Sequence, residues 1–158
     1  MAIVTSTSKH RNQLGATPWG NLNALMFTLQ TNVAGGATDA DSAAPLAVGD
    51  KVRLGVLPAG STLVDSQAVV STALTAAVTG NLGFEYVDGV DNAKVPQDAA
   101  YFGAALDLAT EARLRNATTK APVTLPKDAF LVLTTAGAAN DKAGRVDVVV
   151  QAISTGAL

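Results

Sequence analysis

A mainly β fold, an antiparallel β-sandwich with either jelly-roll or Greek-key connectivity, follows from three features of the sequence. Several runs alternate apolar and polar residues with a period of two, as strands with one buried face do. Gly, Pro, Asn and Asp gather between those runs at short intervals, where turns are needed. Apolar residues make up 48% of the 158-residue chain but aromatic residues only 4%, and small, β-branched side chains suit a thin core between two sheets. That length fits one compact domain. Residues 1–20, rich in Ser, Thr, Asn and Gly, read as an extended N-terminal arm, and 21–158 as the sandwich.

The strands follow in order. NLNALMFTLQTNV (21–33) puts Leu25, Phe27 and Leu29 on one face. AGGATDADSAAPLAVGD (34–50) has no period and is a long loop, a length that tends to carry function. In KVRLGVL (51–57), Val52, Leu54 and Val56 share a face opposite Lys51 and Arg53. Pro58-Ala59-Gly60 then makes a stiff corner, because proline presets φ and glycine accepts positive φ. STLVDSQAVVSTALTA (61–76) resumes as strand, with an irregularity expected near Asp65-Ser66. NLGFEYVDG (81–89) places Leu82, Phe84 and Tyr86 together and ends on a turn dipeptide, Asp88-Gly89.

Residues 99–115 leave two readings open: a short helix, with Phe102, Leu106, Ala109 and Arg113 at spacings of three and four, or a turn with loop. Gly103 counts against the helix. Further on, Phe130, Val132 and Thr134 alternate with Leu131 and Leu133, so both faces are apolar, which fits an inner strand. RVDVVVQAI (145–153) turns Val146, Val148, Val150 and Ala152 inward. Six or seven strands and at most one short helix result.

Charge is sparse, with 15% charged residues and a formal net charge of −2. A surface so weakly charged repels neighbours little and tolerates being covered by other subunits. Lys9, His10 and Arg11 are the only ionisable side chains before Asp39, so the arm is basic, yet too slightly to claim nucleic acid. MAIVTSTSKHRNQLG has its basic residues after a short apolar stretch and does not read as a secretory signal. No continuous apolar stretch reaches the roughly 18 residues of a membrane helix.

Chemistry finds little to work with. The chain has no cysteine and one histidine, His10, beside Arg11 in the arm, so a catalytic triad, a thiol nucleophile and a zinc site all lack their parts. Glu85, Asp88, Asp91 and Asp98 are the best carboxylate group, but their spacing is not that of a calcium loop. Glu85 and Asp128 as a glycosidase pair lack aromatic platforms, and no phosphate-binding glycine loop follows a strand. No catalytic, cofactor or metal residue is assigned, and no enzyme activity is expected.

The succession KVRLGVLPAGSTLVDSQAVV, NLGFEYVDG, AAYFGAALDL and FLVLTTAGAANDKAGRVDVVVQAI resembles a widespread set of small tailed-bacteriophage head proteins. In that set an apolar strand enters a Pro-Ala-Gly corner and a near-terminal hairpin ends in a valine-rich strand. The resemblance covers residues 50–153. It implies a capsid decoration (cement) protein, a sandwich or jelly roll on the outer surface of the assembled shell that clamps neighbouring major capsid subunits. The implied partners are the major capsid protein and the protein itself, as homodimer or homotrimer, with no cofactor, membrane or direct nucleic-acid contact. On that view Lys9, Arg11 and Trp19 in the arm, and Asp39 and Asp41 in the 34–50 loop, are the expected capsid or subunit contacts. Two other readings stay open. One is a tail, fibre or baseplate module. The other is a soluble carbohydrate-binding module, which would need Trp19, Tyr86 and Tyr101 to converge.

Overall fold

The computed structural model describes residues 1–6 and 22–154. Ten strands are found there: β1 (Ile3–Thr5), β2 (Leu22–Thr31), β3 (Lys51–Leu57), β4 (Ser61–Thr72), β5 (Thr79–Tyr86), β6 (Asp98–Asp107), β7 (Ala112–Arg115), β8 (Val123–Thr124), β9 (Ala129–Ala136) and β10 (Gly144–Ser154). They form two sheets, one in the order β1-β3-β9-β5-β6 and one in the order β2-β10-β4-β7, with β8 also on β4. All pairings are antiparallel except β1 with β3. Apart from β5–β6 and β7–β8, each successive pair of strands lies in different sheets, which is the connectivity of a jelly roll.

One core lies between the sheets. Leu25, Phe27 and Leu29 from β2, Val146, Val148, Val150 and Ala152 from β10, and Leu82, Phe84 and Tyr86 from β5 are all buried, as their alternation predicts. The central strand β9 buries Leu131 and Leu133 inward and Val132 on the outer side. Pro58-Ala59-Gly60 carries the chain from one sheet to the other. Gly60 takes φ of +76° there and donates to Leu125 O at 2.8 Å, while Asp128 accepts from Ala59 N.

Four expectations are corrected. Residues 99–115 form β6, a turn and β7 rather than a helix. The edge of β5 offers a ladder, and Tyr101 and Phe102, T-shaped at 4.9 Å, both enter the core, which one helical stripe with Gly103 in it does not achieve. Val56 is exposed and Leu57 takes its inward place. The register slips between Arg53 and Gly55, and Gly55 turns toward the Phe27 ring, where a Cβ would come within 2.5 Å. Strands number ten among the described residues, not six or seven, because short pieces such as β8 carry too little pattern to read. Finally, the first residues do not stand apart from the sheet: Val4 is buried and Ile3–Thr5 pair with Lys51–Arg53. The slip expected near Asp65 is present, with Gln151 opposite Asp65 and Ala152 opposite Leu63.

Candidate functional site

Lys9, Arg11 and Trp19 lie outside the described residues. Asp39 and Asp41 sit in the loop before β3, and that loop is bound closely to its own domain. Asp41 Oδ1 accepts from Thr5 N at 2.9 Å while Asp41 N donates to Thr5 O, so this carboxylate holds β1. Asp39 adopts a φ of +53°. Leu46 and Ala37 are buried in the core, and Asn140 ties the loop to the β9–β10 turn. Tyr86 and Tyr101 are core residues whose hydroxyls donate to Val95 O and Ala121 O. They do not form the exposed platform that a sugar site uses.

The four acids of residues 85–98 do not meet either. Asp88 pairs with Lys127, Asp98 with Lys120, and Asp91 accepts from Gln97 N. Among the described residues no three His, Cys, Asp or Glu gather in a way that holds a metal ion.

Sequence reasoning missed a cluster on the outer face of the first sheet. Arg53, Val132 and Gly83 form one cross-strand row, and Val56, Phe130 and Glu85 the next. Glu85 Oε2 accepts from Lys51 Nζ at 2.9 Å and Oε1 from Arg53 Nε at 3.0 Å. The Arg53 guanidinium lies 4.6 Å from the Phe130 ring centroid, a cation–π distance. Only the alternation of Lys51 and Arg53 was legible, because Glu85 and Phe130 are brought to them by strand register.

Partial burial works to raise the Glu85 carboxyl, but hydrogen bonds and charge from Lys51 and Arg53 outweigh it and hold it below its ordinary value. A carboxylate held lower in the folded than in the unfolded chain stabilises the fold above its unfolded value. That contribution is lost as pH falls through the folded one. Chemical denaturation should therefore show stability declining as pH falls below the ordinary carboxylate range, with the decline shallower in Glu85→Gln. An identical acid limb in the variant would refute the assignment.

Two adjoining hollows lie beside β5 and β6, the smaller of them against this cluster. One, of about 340 Å³, is lined by Phe84, Val95, Pro96, Tyr101 and Val123, with Lys94, Lys120 and Asp98 around it. The other, of about 170 Å³, is lined by Lys51, Glu85, Ala99 and Val132, and the two share Phe84 and Gln97. The walls are held in place: Tyr86 OH is bonded to Val95 O, Tyr101 OH to Ala121 O, Thr118 Oγ1 to Tyr101 O, and Tyr86 N to Gln97 Oε1.

The outer face of the second sheet is more apolar. Leu22 on β2 stands opposite Ile153 on β10, and Met26 opposite Val149; Leu22, Met26 and Ile153 are exposed, as is Val64 on β4.

No family model matches the sequence, and no curated protein matches it either. Solved structures do share its fold. A chain in the capsid of Ralstonia phage GP4 superposes with a TM-score of 0.68 at 14% identity, over 99% of this chain and 100% of that one. A chain in the capsid asymmetric unit of cyanophage Pam1 gives 0.60 at 15% identity, over 92% and 94%. What is shared at such identities is the fold, and here it is shared along nearly the whole chain. This protein is built as those phage capsid chains are built.

Proposed function

We propose that this protein is a virion structural protein that binds the outer surface of an assembled phage capsid and stabilises it as a decoration, or cement, protein. The observation that supports this most is the full-length fold correspondence with chains from two phage capsids. Low charge and a two-sheet jelly roll agree with a role as covering material. A protein that binds only the mature shell stabilises it by mass action, and many weak contacts suffice where symmetry repeats them. The partners are the major capsid protein and further copies of this chain, as dimers or trimers.

The experiment is co-sedimentation of the purified protein with undecorated heads, with thermal rupture followed in the same samples. Saturable binding and a raised rupture temperature are expected. Protein left in the supernatant with rupture unmoved would end this reading and favour a tail module or a soluble ligand. The arm is tested separately. Because β1 belongs to the sheet, the segment to replace is 7–20, which holds Lys9, Arg11 and Trp19. A Gly-Ser linker of equal length there should weaken head binding about ten-fold while the unfolding midpoint stays put. Unchanged binding would remove the arm from the contact.

A further inference from the structure

We infer that the two adjoining hollows beside β5 and β6 form one groove that docks an acidic, apolar-studded segment of a neighbouring protein chain. It deepens the shell-binding reading and rests on it in drawing that segment from the capsid.

The charge around the groove points to such a partner. Lys51, Lys94 and Lys120 line it and Arg53 flanks it beside Glu85, against Glu85 and Asp98 in the lining and Asp91, bonded to Gln97 N, at its flank. Four cations stand against three carboxylates, a small local positive surplus on a chain whose formal net charge is −2. Lys94 is exposed and makes no ion pair among the described residues. Arg53 is pre-oriented: Nε is spent on Glu85 and the plane lies over Phe130, while among the described residues no acceptor meets its Nη groups. A guanidinium already held in place loses little freedom when its outer fork takes a carboxylate.

Shape and rigidity agree. The larger hollow has apolar walls of Val95, Pro96, Val123 and Tyr101 and the volume to take side chains. Both lips are anchored by tyrosine hydroxyls, and Lys120 bridges them by pairing with Asp98. A preformed pocket with a basic rim suits an apolar anchor residue flanked by acids. A protein segment fits better than nucleic acid, because the walls of Val95, Pro96 and Val123 seat an aliphatic side chain, which a phosphate backbone does not supply.

The test compares the full chain with Lys94→Glu and with Lys142→Glu, an equal charge change at the opposite end of the strands. Binding is read against undecorated heads, a labelled peptide of repeating Leu-Asp-Glu, and labelled oligo-dT, with the unfolding midpoint checked for each variant. Lys94→Glu should weaken binding to heads or peptide about ten-fold or more, with Lys142→Glu close to the parent. Peptide binding through the groove with no binding to heads would discard the shell-binding reading and leave the groove standing. The groove itself is overturned if Lys94→Glu binds like the parent, if Lys142→Glu weakens binding as much, if oligo-dT binds and the peptide does not, or if the parent binds neither heads nor peptide.

Discussion

Asn140→Ala should lower the unfolding free energy by about 4 kcal/mol, a fall in midpoint of about 10 °C for a domain of this size. Asn140 is 1% exposed and lies in the turn between β9 and β10. Its Oδ1 accepts from Thr75 N at 3.0 Å and from Thr75 Oγ1, and its Nδ2 meets Gly35 O, Lys142 O and Thr31 Oγ1. Its backbone N adds a bond to Leu46 O. One amide thus ties together the end of β2, the 34–50 loop, the segment after β4 and its own turn. Alanine leaves Thr75 N without its partner and strips one bond each from Thr75 Oγ1, Gly35 O, Lys142 O and Thr31 Oγ1, all at the one point where these segments meet. Asn140→Asp should be at least as damaging, since a buried carboxylate would then face the carbonyls of Gly35 and Lys142. Equilibrium denaturation measures both. A loss below about 1 kcal/mol for alanine would show that the loop is held mainly by Leu46 and not by this amide.

Gly83→Ala is the second large effect, expected at about 3 kcal/mol. Gly83 faces β6 so closely that a Cβ would lie 2.0 Å from Asp98 O and 2.4 Å from the Ala99 carbonyl carbon. Those are backbone atoms, so no side chain can swing away; β6 itself has to move from β5. The displaced residues carry Asp98 and Gln97 at the margin of the basic groove. Head binding should therefore fall together with stability in this variant, whereas Asn140→Ala, at the opposite end of the strands, should cost stability alone at temperatures where it stays folded. Thermal unfolding and co-sedimentation below the midpoint separate the two. Wild-type stability for Gly83→Ala would mean that the strands part at little cost.

Several strands were legible because alternation reports burial directly. Leu25, Phe27 and Leu29, or Val146, Val148 and Val150, stand two apart, and all six are inside. The signal fails where the ladder slips. At Arg53–Gly55 one inserted residue reverses the facing of everything after it, and Val56 moves outward. It also fails in β6, where Tyr101, Phe102 and Gly103 are buried in succession across an irregular pairing with β5. The candidate site was less legible than the fold. Lys51 and Arg53 were seen only as the polar face of a strand. Glu85 lies more than thirty residues away, Lys94 and Lys120 farther still, and nothing local marks them as neighbours.

The sequence by itself determined the mainly β class, most strand positions, the corner at Pro58-Ala59-Gly60 and the inward sets of β2, β5 and β10. Those are properties of short windows, written in periodicity and in turn residues whose backbone preferences hold in any context. Only the tertiary structure decided which sheet each strand joins, that Ile3–Thr5 complete one of them, and that Tyr101 enters the core from a strand. It alone gathered Lys51, Arg53, Glu85 and Phe130 on one face. Strand order and register are settled by contacts between distant segments competing for one core, and that competition leaves no mark within any single stretch of chain.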